Sequence, residues 1–253
     1  MTAALAAPLF PTPGLLERLR PHAAATALTG CDGCPARALA VCQALADADM
    51  DEFGAIGDQQ RFAPKEALFR QGDDADAVFT ITSGMVRLYR LLSDGRRQIL
   101  GFLLPGDFIG LAPDERYAST AEAVTPVAAC RFDARAYATL AERKPRLLAS
   151  LRRAAADELA AAQDHMVLLG RRSADERVAA FLIALRQRLA VRGGGAVTIA
   201  LPMSRQDLAD HLGLTIETVS RVISRLARER VLLVVPDGVR VLDAQKLQAL
   251  AAA

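Results

Sequence analysis

Three of the chain's four cysteines fall in the segment CDGCPARALAVC, as Cys31, Cys34 and Cys42, and the fourth, Cys130, stands far downstream. Thiolates at x2 and x7 spacing on a loop, joined by one remote thiolate, can close a four-thiolate site. Zinc accepts such a set, and so does a [4Fe–4S] cluster. Spacing alone does not choose, although structural zinc more often uses two close pairs and Cys130 has no near companion. The same thiols suit a thiol–disulfide switch. In the plainest alternative the three clustered thiols are incidental and Cys130, in the strand-like VAACRF, is a buried apolar residue.

A second chemistry begins at Ser204, in SRQDLADHLGLTIETVSRVISRL. Ser204 is a good N-cap for a helix to about Leu212. Gly213 supplies a left-handed turn, and Thr215 caps a second helix to about Glu229. Helix, tight turn and helix make the helix-turn-helix pattern. Ala209, Leu214, Val219 and Leu226 are its expected core. Glu217, Thr218, Ser220, Arg221 and Arg225 face outward from the second helix. Arg bonds a guanine edge in bidentate fashion, Glu accepts from cytosine, and Ser touches several bases. VLLVVPDGVRVL then reads as a hairpin, which makes the module winged, and Asp243 caps a last short helix.

These groups need elements to hold them. The chain has 253 residues, 52% of them apolar, enough for two modest domains with separate cores. From Arg171 onward there are 13 Lys and Arg against 8 Asp and Glu; the remainder has 18 against 21. A mildly basic C-terminal part suits a phosphate-facing module. No apolar run reaches transmembrane length, and the N-terminus, cut by Pro8, Pro11 and Pro13, does not read as a signal peptide. A reducing cytoplasm is the expected compartment, where structural disulfides are rare.

Residues 1–30 are Pro- and Ala-rich and are expected to form a loosely ordered arm. Residues 31–132 hold the cysteine loop, a short amphipathic helix around Leu45, Met50 and Phe53, and then β-rich pieces. Turn residues at Gly72-Asp73-Asp74, Ser83-Gly84, Asp94-Gly95 and Pro105-Gly106-Asp107 predict antiparallel hairpins closed into a roll. Residues 133–170 turn helical, with one long helix from Pro145 to Leu169. Leu148, Leu151, Ala155, Ala162, Met166 and Leu169 fall near a and d spacing, which predicts a dimerisation seam. Two of these positions are only alanine, each methyl contributing on the order of 0.8 kcal/mol, so the seam should be weak. A boundary falls at Gly170. In residues 171–253, Ser173 to Glu176 form a capping box before a helix that ends at Gly193-Gly194-Gly195, and a strand from Val197 to Leu201 leads to the reader. The fold class expected is α+β: an N-terminal β-roll (jelly-roll-like) sensor domain, a long dimerisation helix and a C-terminal winged helix-turn-helix.

The order of these parts resembles the Crp/Fnr superfamily of bacterial transcription regulators, over about Cys31 to Ala253. The resemblance implies that Glu217, Ser220 and Arg221, in Glu-Thr-Val-Ser-Arg, read each half of a palindrome similar to TTGAT-N4-ATCAA, on double-stranded DNA and as a homodimer. It implies a [4Fe–4S] cluster on Cys31, Cys34, Cys42 and Cys130, as in Fnr-type oxygen sensors, with CPARALAVC similar to the FnrL and FnrP variants. The enteric members have a shorter gap between the second and third cysteines. Family members usually activate by touching RNA polymerase. A cyclic nucleotide is a poorer fit: in FIGLAPDERYASTAEA, Leu111 follows Gly110, Ala118 precedes Ser119, and only Arg116 stands near a phosphate-clamping place. An enzyme is not expected either. The histidines are His22, His165 and His211, none in the roll, and no nucleophile motif or phosphate loop appears. Haem sensing has no positive support.

Overall fold

The structure, a computed structural model, describes residues 31, 33–111, 115–193 and 197–252. The expected arm 1–30, and Gly194 and Gly195 of the glycine run, lie outside the described residues.

The β-rich part is a roll of two antiparallel four-stranded sheets. One takes the order β1 (Gly57–Phe62), β8 (Val127–Asp133), β3 (Ala77–Ser83), β6 (Phe108–Ile109). The other takes the order β2 (Ala67–Phe69), β7 (Thr120–Ala123), β4 (Val86–Leu91), β5 (Arg97–Leu103). Side chains alternate along a strand, and β3 uses both faces. Phe79 and Ile81 enter the roll interior beside Val86, Ala121, Val127 and Ala129. Val78 packs on the opposite side with Phe132 of β8, under a second apolar layer. That outer layer comes from α1 (Met50–Ala55), α2 (Ala134–Arg143), the first turns of α3 (Pro145–Arg171) and the cysteine segment.

The long helix is therefore two things in succession. Leu147 and Leu151 are buried in the sensor's own core. This corrects the seam predicted for Leu151, because α3 must first cover the roll before it can leave it. Leu148 is half-buried as well. Further along, Ala155, Ala162 and Met166 are exposed, and exposed Leu159 falls in the same stripe, a position the sequence reading passed over. Leu169 is half-buried against the reader, where its Cδ2 stands 3.2 Å from the place a Cβ on Gly213 would take. The helix runs through Gly170 to Arg171, one turn's edge beyond the expected boundary.

The C-terminal module contains α4 (Ala174–Ala190), β9 (Thr198–Ala200), α5 (Arg205–Leu212), α6 (Ile216–Arg228), β10 (Leu232–Val235), β11 (Gly238–Val241) and α7 (Ala244–Ala252), with its sheet in the order β10-β11-β9. The Ser173–Glu176 capping box forms as the sequence indicates. Gly213 adopts φ 62°, ψ 41° at the end of α5, the left-handed conformation that a β-carbon opposes.

The module's core is continuous with the roll. Met85, Tyr89, Ile99, Phe102 and Leu104 share one cluster with Phe181, Leu185, Leu208 and Leu212. A charge network rims it. Arg97 donates to Asp207 Oδ1 at 2.7 Å and to Asp210 Oδ2 at 2.7 Å, and Arg87 reaches Asp207 Oδ1 at 3.0 Å while also pairing with Glu122. Asp207 is buried and also caps Ser204 N at 2.9 Å.

At the centre of this junction, His211 of α5 stacks on His165 of α3 at 4.4 Å and meets Phe102 and Phe181 edge-on. Its Nδ1 donates to Ile99 O at 3.1 Å. Burial, then the neighbouring His165, pushes the His211 pKa down to about 4. The unfolded chain takes up this proton near pH 6.5 and the folded chain only near 4, so stability is full above 6.5 and is lost as pH falls between those values. The loss is at most on the order of 3 kcal/mol. Urea midpoints should fall between pH 7 and pH 5, and His211→Phe should flatten that dependence.

Candidate functional site

The cysteine segment folds as three short 3-10 turns, Arg37–Leu39, Val41–Ala44 and Asp47–Asp49, stapled by Arg37 to Asp47 at 2.6 Å. Ala36, Ala40, Val41 and Leu45 are its buried anchors, and apolar side chains of this kind are each worth up to about 1.5–3 kcal/mol when large. Ala40, Val41 and Leu45 press the segment onto Phe53, Phe132, Tyr137, Leu147 and Leu151. Lys144, between α2 and α3, fastens the same corner through Asp49 at 2.6 Å and Glu52 at 3.3 Å.

That packing brings Cys31, Cys34, Cys42 and Cys130 to the wall of one cavity of ≈ 240 Å³. Phe53 and Phe132, 4.6 Å apart between ring centroids, form its apolar side. Cys130 sits on β8 opposite Gln59 of β1 and Thr80 of β3. No disulfide joins the cysteines. Among the described residues, no three His, Cys, Asp or Glu side chains are gathered closely enough to hold a single metal ion. The thiols instead stand around a space. Cys42 is pushed up to about 11, by burial first and then by Cys34 and Cys31. Cys130 is pushed up to about 12 for the same reasons in the same order. Such thiols are poor nucleophiles, and an ion or cluster that binds them must displace their protons.

Three hydroxyls near this space lack a hydrogen-bond partner among the described residues: Thr80 Oγ1, Thr82 Oγ1 and Tyr137 Oη. Thr80 and Thr82 line the cavity itself. Burial, then the Cys42 sulfur, raises the Tyr137 pKa.

The segment also reaches both outputs. Its turn Val41–Ala44, which carries Cys42, packs on α3. Leu39 lies against the turn Pro105-Gly106-Asp107, where Gly106 has φ +97° and a Cβ would stand 2.6 Å from Leu39 Cβ. The far side of that turn is held by the reader. Arg192 donates to Pro105 O at 2.7 Å and to Asp107 Oδ1 at 2.8 Å, and Arg188 pairs with Asp107 and donates to Phe102 O at 2.7 Å. The sequence offers no signal for this three-way contact.

On the reader, Glu217, Ser220 and Arg221 are exposed on one face of α6. Ser224 and Arg228, which the sequence reading omitted, are exposed at helical spacing from them. Thr218 has a local role: its N–H donates to the capping Thr215 hydroxyl at 3.2 Å, and its Oγ1 accepts from Arg221 at 3.1 Å. Arg225 is paired with Asp175 at the start of α4. The Glu217 carboxyl is held below its usual range by its own backbone N–H, then by Thr215, with Arg221 adding to the effect. Arg116, the residue nearest a phosphate-clamping place, is engaged by Gly72 O at 2.7 Å and Asp74 at 3.3 Å.

A β-roll with a thiol-lined cavity, a long helix and a winged helix-turn-helix define a DNA-binding protein with an N-terminal β-roll domain. Residues 59–144 match the cyclic nucleotide-binding domain and residues 176–250 the Crp-like helix-turn-helix domain. The chain belongs to the Crp/Fnr family of transcription regulators. It is 49% identical to the transcriptional activatory protein AadR of Rhodopseudomonas palustris, over 92% of this chain and 100% of that one. It is 34% identical to the transcriptional activator FnrL of Cereibacter sphaeroides, over 83% and 87%. The solved structure of FixK2 from Bradyrhizobium japonicum superposes with a TM-score of 0.73 at 38% identity, over 78% and 98%. Among the described residues no helix is long and apolar enough to cross a membrane.

Asp107→Ala should remove the carboxylate that both arginines share and that also accepts from Leu104 N at 2.7 Å. The expected cost is about 2–3 kcal/mol, read as a lower urea midpoint.

Proposed function

We propose that this chain is a cytoplasmic transcription activator that senses oxygen through a [4Fe–4S] cluster on Cys31, Cys34, Cys42 and Cys130. Its output is the binding of a homodimer to a TTGAT-N4-ATCAA-like palindrome, and not catalysis. The convergence of all four cysteines on one cavity, from a loop and from β8, carries this reading. The donor set fits. Four sulfurs spaced around ≈ 240 Å³ suit a group in which each thiolate takes its own iron. A single zinc would need all four drawn to one point at about 2.3 Å. When bound, the cluster supplies an oxygen-labile core. In a thiol–disulfide switch on the same cysteines, Cys42 and Cys130, whose thiols burial raises, would be the slow attacking partners.

The chain's own residues do the rest. With the four thiolates tied together, the segment 31–44 is held on β8 and on the first turns of α3. Ala155, Leu159, Ala162 and Met166 then offer a stripe to the same stripe of a second copy. Because two of these four are alanine, the seam is weak and a bias of a few kcal/mol switches it. Pairing sets two α6 helices one DNA turn apart. The relatives' names as activators support a contact with RNA polymerase.

Anaerobically purified protein should be brown and dimeric, contain iron and acid-labile sulfide, and bleach and fall to monomer in air. A colourless, zinc-loaded dimer indifferent to air would sink the reading. Arg221→Ala should cost roughly 1–3 kcal/mol on the palindrome and relax one base position. Equal loss on specific and random DNA in a gel-shift titration would contradict base reading by Arg221.

A further inference from the structure

We infer that Thr80 and Thr82 are positioning residues of the thiol site, whose hydroxyls donate hydrogen bonds to the sulfur atoms of the group the cysteines hold and thereby set how readily it is oxidised. The inference rests on the cluster reading and adds to it two residues that hold no iron.

Both threonines are on β3, 3% and 5% exposed, and both line the cavity. Thr80 pairs directly with Cys130 across the β3–β8 ladder, so their side chains share a face. Neither hydroxyl has a partner among the described residues. A buried hydroxyl without a partner is costly. Valine has nearly the same shape and an equal preference for strands, and it would leave nothing unsatisfied. Two such hydroxyls side by side, facing one cavity walled by four sulfurs, indicate an acceptor that the polypeptide does not supply. A hydroxyl donates well to the negative sulfur of a thiolate or sulfide. Donors to sulfur favour the more negatively charged, reduced state and so raise the potential. Without them a bound iron–sulfur core would give up one electron to dioxygen, forming superoxide, more easily.

The full chain, purified without oxygen, tests this as wild type, Thr80→Val/Thr82→Val and Thr80→Ser/Thr82→Ser. Iron and sulfide content, the rate of bleaching in air-saturated buffer and the reduction potential are the readouts. The valine protein should bleach on the order of tenfold faster and show a lower potential, while the serine protein stays near wild type. Failure of the valine protein to load, with serine loading normally, supports the same role. The cluster-free valine chain should melt no lower than the cluster-free wild type, which separates loss of a sulfur donor from loss of the fold. If wild type carries the chromophore and the valine protein matches its rate and potential, the inference is overturned and the cluster reading stands. If wild type takes up neither iron nor sulfide, both fall.

Discussion

The structure hangs on the contact between the cysteine segment and the outer face of the β1-β8-β3-β6 sheet. Ala40, Val41 and Leu45 are too few to form a core alone, and they complete one begun by Phe53, Phe132, Tyr137 and Leu147. Because β3 and β8 are covered on both faces, their outward residues are committed to this second layer. The cavity is what the layer leaves open, and its walls come from a loop, a helix and three strands. Any force that pulls the four sulfurs together therefore acts on all of these elements at once.

The reader is joined to the sensor by two different kinds of contact. Around Asp207 there is a buried charge network, with Arg87 and Arg97 from the roll converging on a carboxylate that also caps α5. Buried ion pairs add little net stability, since desolvation offsets attraction, but a wrong docking leaves a charge unpaired. The network thus selects an orientation more than it strengthens one. Around Asp107 the contact is a clamp of two arginines on a tight turn, with Leu39 of the cysteine segment on the turn's other side. The first contact touches the helix that precedes the recognition helix; the second touches the sensor loop itself. Between them His165 and His211 close the junction in an apolar setting.

The long helix shows how one periodic pattern serves two environments. Its first two turns bury Leu147 and Leu151 in the sensor, and its middle shows Ala155, Leu159, Ala162 and Met166 to solvent. A change in how firmly the segment 31–44 sits on the buried part alters the base on which the exposed stripe stands. Energetically the two parts are unequal: large side chains hold the helix to its own roll, while two of the four stripe residues left exposed are alanine.

The helix-turn-helix was legible residue by residue, because caps, glycine turns and hairpin turns act over three or four positions. Ser204, Gly213, Thr215 and Asp243 do in the structure what their types imply. The roll was legible as a kind of fold, since alternation and turn spacing report strands but not which strands pair. What chain order alone could not show is the company each residue keeps across the fold. Leu151 has the spacing of a seam residue and the burial of a core residue. Arg225 looks like a DNA contact and is paired with Asp175. Cys130 reads as a ligand by its membership of the thiol set, and as filler by its strand-like context, until β8 is seen to lie beside the loop. The sequence by itself determined the local conformations and the inventory of thiols, because both are written in neighbouring residues. Only the tertiary structure decided that the four thiols share one cavity with two unpartnered hydroxyls, because strand pairing and layer packing join residues that the chain keeps far apart.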